Sequence, residues 1–179
     1  IRHGKTAGLR MGTIPAATPN LTRERLASLK EAGVDQLAFS LDGATAASHD
    51  TFRRTPGAFD TVIRACKQSR EMGIPIQINS CFGQWNWHEF DAVAALVSTL
   101  DIAFWEVFFL IPVGRGAKLG GLTPDQFEEG FAKLRKMTQE VPFVVKLTEG
   151  QHFRRYALQQ EAKAGDGMAA RVEHTVARP

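Results

Sequence analysis

Between Leu37 and Arg54 the sequence reads LAFSLDGATAASHDTFRR. An apolar stretch gives way to Ser40, Asp42 and Gly43, and then to His49, Asp50, Arg53 and Arg54, a set suited to an anionic or zwitterionic ligand. A guanidinium offers paired donors in a fixed fork and a hydroxyl adds one more, so Ser40 and Arg53 together would suit a carboxylate. A purely local reading is equally open on the residues alone. Ser40 then caps the turn, Asp42 closes an Asx turn, and Arg53 is a solvated charge like its neighbour Arg54. His49 reads as a helix-start residue bonded to nearby backbone rather than as a base.

The other chemically capable residues are scattered. Cys66 and Cys81 stand fifteen positions apart, too few for a disulfide framework and wrongly spaced for zinc. Both read as packing residues, and their number favours a reducing, cytoplasmic compartment. Glu106 lies within an aromatic run; it is either a functional acid facing a barrel interior or the partner of a Lys or Arg on a helix. Trp85, Trp87 and Trp105 could line a cleft, although aromatic residues at element starts more often pack. His152 to Tyr156, HFRRY, suggests an anion contact or, more simply, a solvated helix face. No histidine pair has metal-ligand spacing.

These residues need a frame. The 179 residues suffice for one domain with a sizeable core, and 44% apolar against 23% charged content marks a folding chain. The net charge of +3 is spread thinly, which gives no support to nucleic-acid binding. No apolar run reaches the roughly 20 residues of a membrane span. The chain opens on Ile with no leader pattern, so it reads as an excerpt.

Helix and strand alternate. Leu21 to Ala32 reads as a helix stopped by Gly33, Gln36 to Ser40 as a buried strand, and Phe59 to Met72 as a helix stopped by Gly73. Pro75 to Phe82 alternates, with Ile76 and Ile78 on the core side and Gln77 and Asn79 on the other. Trp87 to Leu100 and Phe104 to Leu110 form the next pair. Thr123 to Glu140, with Pro124 at its first helical position, and Phe143 to Thr148 form the last. An earlier strand spans Leu9 to Ala16. The expected fold is α/β, an incomplete parallel (β/α) barrel of about five units against the eight of a closed one. A domain over residues 1–160 is followed by a frayed tail from Glu161 to Pro179. In such sheets ligands gather at the carboxyl ends of strands.

SLDG followed by HDTFRR, the helix start GAFD, a strand ending QINS, and FFLIPVGRG together resemble the middle and later repeats of a radical S-adenosylmethionine enzyme. The resemblance runs from about Gly8 to Tyr156 and is strongest to members with a C-terminal SPASM-type cysteine-rich domain. It implies S-adenosylmethionine and a [4Fe–4S] cluster as cofactors of the parent protein, which would cleave S-adenosylmethionine reductively to a 5′-deoxyadenosyl radical. By the same resemblance, Ser40 and Arg53 would hold the methionine carboxylate, with Asp42 and Gly43 shaping the turn between them. Asn79 would lie near the ribose, and Ile111 and Pro112 against adenine.

The sequence departs from that family in one decisive respect. No CxxxCxxC occurs, and two thiols cannot supply the three thiolates of the cluster, so no cluster is expected on this chain. The expectation is therefore an N-terminally truncated fragment, inactive alone, of a radical S-adenosylmethionine oxidoreductase. The alternative is a non-catalytic binding or interaction domain on the same scaffold. The substrate class stays open among peptides, haem precursors and small molecules. An uncovered sheet edge would favour self-association.

Overall fold

A computed structural model of the chain describes residues 1–164. Seven α-helices and five strands are assigned among them. The helices are α1 (Arg2–Thr6), α2 (Arg23–Glu31), α3 (Ala46–Arg53), α4 (Ala58–Glu71), α5 (Phe90–Ser98), α6 (Pro124–Glu140) and α7 (Phe153–Ala164). The strands are β1 (Gly12–Thr13), β2 (Gln36–Ser40), β3 (Ile76–Phe82), β4 (Phe104–Phe109) and β5 (Val144–Thr148). They form one open sheet in sequential order, and every adjacent pair is parallel. This is the incomplete (β/α) barrel expected from the alternation.

Local chemistry sets the element ends. Thr22 caps α2 by accepting from the Arg25 N–H, and Thr123 and Gln126 cap α6 reciprocally behind Pro124. Gly33 and Gly73 follow α2 and α4 at φ of 86° and 69°, left-handed geometry that glycine adopts without strain.

One sheet face is the core. Phe39, Ile76, Ile78, Trp105, Val107 and Phe109 are almost wholly buried there. Trp105 packs against Phe90 of α5, and Phe109 against Phe127 and Phe131 of α6, so the helices cover this side. The alternate residues, Ser40, Gln77, Asn79, Cys81, Glu106 and Thr148, are half-buried on the other side. The period-two pattern of IQINSCF is thus the division between core and interior surface.

Two expectations need correction, and one segment without expected bounds is now defined. The first strand shrinks from Leu9–Ala16 to two residues: it is the sheet edge, paired only with β2, and Leu9 and Ile14 beside it are exposed. The polar segment after β2 is a helix, α3. It lacks an apolar stripe, burying only His49, and is held by reciprocal capping between Thr45 and Ser48. The last helix runs to Ala164, past the expected start of the tail at Glu161. The rest of that tail lies outside the described residues.

Candidate cofactor-binding rim

The carboxyl end of β2 is organised by Asp42, which is 2% exposed. Its Oδ2 accepts from Arg53 Nε at 2.7 Å and lies 2.5 Å from Arg53 Nη2. Its Oδ1 accepts from the Cys81 N–H at 2.9 Å. Its own N–H donates to His49 Nδ1 at 3.1 Å, and its carbonyl accepts from Asn86 Nδ2 at 2.8 Å. One residue, through its carboxylate and its backbone, therefore joins β2, α3, β3 and the loop after β3. Gly43 allows α3 to fold back this tightly, because a Cβ there would stand 2.3 Å from Ser48 Oγ and 2.7 Å from the His49 nitrogen.

Burial pushes the His49 pKa down; Arg53 adds to the fall while Asp42 and Asp50 oppose it. A neutral imidazole accepting at Nδ1 suits that environment, and the local-backbone reading of His49 holds. Asp50 is also held low, mainly by the Phe59 N–H and further by the Gly57 N–H that its carboxylate accepts.

Parallel register places Ser40, Asn79, Glu106 and Lys146 in one row on the half-buried face. Glu106 accepts from Gln77 Nε2 at 2.5 Å and from Thr148 Oγ1 at 2.8 Å. Gln77 Nε2 also donates to Asn79 Oδ1, and Gln36 Nε2 donates to Gln77 Oε1. Of the two readings of Glu106, the structure selects the barrel interior: its partners are an amide and a hydroxyl on neighbouring strands. Lys146 instead sets its ammonium over the Phe104 ring, 4.3 Å from the centroid.

Ser40 ends β2 on the interior face, with Asn79 beside it on β3. Arg53 stands at the same strand end through Asp42, its side chain 38% exposed. Ile111, 52% exposed, and Pro112 follow β4 at the same rim, two strands away from Ser40. The turn reading of Asp42 gave no hint of its larger role as anchor of Arg53. Asn86, 2% exposed and bonded to Asp42, Cys81 and Gly83, was also missed, since nothing in the sequence around it marks it.

Trp105 and Trp87 pack among Phe82 and Phe90, as the packing reading holds, while Trp85 stacks on Phe52 with ring centroids 4.7 Å apart. In HFRRY, His152 stacks on Phe127, Phe153 and Tyr156 pack on Phe131, and Arg155 pairs with Glu128. This segment joins α7 to α6.

A family model described as the radical SAM superfamily matches residues 6–97, just over half of the chain. The chain belongs to the radical SAM superfamily. AdoMet-dependent heme synthases of Methanosarcina barkeri and Oleidesulfovibrio alaskensis are 35% and 33% identical to it, each over 92% of this chain but only 47% and 43% of their own length. The chain thus spans about half the length of these relatives. A PqqA peptide cyclase of Rhodopseudomonas palustris is 29% identical over 60% of this chain and 28% of its own. Among solved structures, a domain of pyruvate-formate lyase-activating enzyme from Bacteroides vulgatus superposes with a TM-score of 0.63 at 10% identity, covering 82% of this chain and 86% of that one. SuiB of Streptococcus suis, bound to its precursor peptide SuiA, superposes at 0.65 and 12% identity, covering 88% of this chain and 36% of its own. These likenesses concern the fold.

The family implies two cofactors, and the rim fits them unequally. A hydroxyl, a guanidinium and an amide at adjacent strand ends suit a zwitterionic nucleoside such as S-adenosylmethionine. A [4Fe–4S] cluster does not fit the cysteines present. Cys66 is buried in the core, its thiol pushed up to about 12 by burial, and burial pushes Cys81 up to about 11. Among the described residues, no three His, Cys, Asp or Glu side chains cluster as metal ligands. No helix among them is long and apolar enough to cross a membrane.

Proposed function

We propose that this chain is the S-adenosylmethionine-binding part of a radical SAM oxidoreductase acting on a haem precursor. The observation that carries the reading is similarity of 33–35% to heme synthases across 92% of the chain, combined with Ser40 and the Asp42-anchored Arg53 at one strand end. In this reading Ser40 Oγ and the Arg53 guanidinium hold the methionine carboxylate, Asn79 contacts the ribose, and Ile111 and Pro112 meet adenine. Asp42 fixes two of the Arg53 nitrogens, so the guanidinium is oriented before any ligand arrives. Bound S-adenosylmethionine supplies a sulfonium whose reductive cleavage is the chemistry of the family. No step of that reduction can be assigned to this chain, because its thiols cannot ligate the cluster. The two unpaired cysteines support a reducing, cytoplasmic setting.

Titration of S-adenosylmethionine into the purified chain by calorimetry tests the assignment. Ser40→Ala and Arg53→Ala should each weaken binding by about three- to tenfold. Equal affinity in all three proteins would refute the carboxylate site. A second reading, a non-catalytic binding module, is favoured by the placement of the thiols, Cys66 buried on α4 and Cys81 half-buried on β3, where they cannot join in one cluster site. Anaerobic reconstitution with iron and sulfide tests what both readings share: no cluster should assemble on this chain, and uptake of about four irons per chain would show otherwise. The exposed Leu9 and Ile14 beside the two-residue edge β1 favour self-association. A monodisperse monomer in light scattering would remove that part of the proposal.

A further inference from the structure

We propose that a groove between α3, the loop after β3 and the 3₁₀ turn Gly114–Leu119 binds an amphipathic organic polycarboxylate of porphyrin size, with its carboxylates on Arg54 and Lys118. The substrate size rests on the haem-precursor reading above; the groove and its charge do not.

The groove is an open cleft of about 820 Å³, within the range of small-molecule sites. Its walls are built from segments that follow the carboxyl ends of β2, β3 and β4, so it opens at the same rim as Ser40. Phe52, Trp85 and Leu119 make the apolar part. This wall is fixed: Trp85 is stacked on Phe52 at 14° and packs so closely on Gly83 that a Cβ there would come within 2.2 Å of its ring.

The charges around this wall are unbalanced. Asp42 lines the groove but is neutralised by Arg53. Glu89 also lines it, and its Oε2 is occupied by the Ala44 N–H at 2.7 Å and Ser48 Oγ at 2.8 Å. Arg54 and Lys118 are exposed at the lining, and among the described residues neither belongs to an ion pair. Two cations without acid partners therefore flank an apolar wall whose one remaining acid already has its donors. A ligand complementary to this surface has an apolar body and at least two anionic arms. A neutral apolar ligand would leave both cations unused, and a small inorganic anion would leave the wall uncovered.

The probe is metal-free coproporphyrin III titrated into the whole chain and read by its absorption shift and by quenching of tryptophan emission. The expected result is saturable binding of one porphyrin per chain that weakens with salt. Replacing both cations (R54E with K118E) should raise Kd by about tenfold or more, while Lys67→Glu, on the exposed side of α4, should leave it within about twofold. Circular dichroism confirms that the exposed substitutions leave the fold intact. Absence of saturation, or an equal loss in the Lys67 variant, would overturn the proposal. Titrating S-adenosylmethionine into the same proteins separates the two sites. In the unsubstituted chain, absence of nucleoside binding with porphyrin binding present would count against the Ser40–Arg53 assignment alone, and absence of porphyrin binding with nucleoside binding present against the groove alone.

Discussion

The two faces of the sheet are built from the same strands yet follow different rules. On the helix-covered face Phe39, Ile78, Trp105 and Phe109 are at most 1% exposed, and their value is the apolar area and close contact they contribute. On the interior face Gln77, Asn79, Glu106 and Thr148 are half-buried and joined by hydrogen bonds across three strands. Polar groups there gain little net stability, because water would serve them almost as well in the unfolded chain. The difference teaches which residues hold the fold and which are free to be specified by a ligand. The rim around Asp42 lies between the two regimes, buried like the first and polar like the second.

The largest effect should come from the covered face. Trp105 is wholly buried, packs on Phe82 and Phe90, and donates from Nε1 to Ser80 Oγ at 3.0 Å. Trp105→Ala should cost about 3–5 kcal/mol in urea unfolding, enough to leave much of the chain unfolded at 37 °C. A loss under about 1 kcal/mol would mean that the two faces do not differ as described.

Asp42→Ala should cost less, about 2 kcal/mol. A fully buried pair losing one partner costs more, but the Arg53 guanidinium is partly exposed and can rehydrate. What does not rehydrate easily is the Cys81 N–H, left without its acceptor. The same variant should lower S-adenosylmethionine affinity about as much as Arg53→Ala does, since both remove an oriented guanidinium. If affinity survives in Asp42→Ala while stability falls, the carboxylate is an architectural element only.

Much of this division was legible in the sequence because it depends on local periodicity. IQINSCF alternates by residue, and the Thr and Pro–Gly signals around α2, α4 and α6 mark their ends. The length of β1 was not legible, because whether Leu9 to Ile14 pairs depends on a neighbour strand at an edge. The bounds of helix α3 were not legible beyond the reading of His49 near its start, because it has no apolar stripe to detect and is held by its caps and one buried histidine. The sequence also offered Arg53 as a ligand contact without its anchor. Asp42 and Arg53 meet only because Gly43 lets α3 turn back over the strand end, and such tertiary pairings leave no periodic trace. The side of the sheet taken by Glu106 required the register of β3 against β4.

The pH response probes the rim. The folded-state pKa of His49 lies below its unfolded value of about 6.5, chiefly through burial, so below that pH the unfolded chain binds a proton that the folded chain does not. Stability should therefore be complete above about pH 6.5 and fall as the pH drops toward the lower folded value. His49→Asn keeps an acceptor for the Asp42 N–H without a titrating group, and should flatten the pH dependence between pH 7 and about 5.5. Urea midpoints across that window measure it. An unchanged slope in the variant would place the titrating group elsewhere.

The smallest expected effect is at Glu106. In Glu106→Gln the new amide oxygen can accept from either Gln77 or Thr148, and the amide nitrogen can donate to the Thr148 hydroxyl or to Gln77 once that amide is turned over. Every hydrogen bond of the pair thus has a rearrangement that preserves it, and the lost charge had no cationic partner among the described residues. Stability should change by less than about 1 kcal/mol. A loss of several kcal/mol would show that the interior face is as structural as the helix-covered one, and the functional reading of its polar row would fall with it. A neutral result leaves Glu106 as a group the fold does not require, held on the interior face of the sheet beside Asn79.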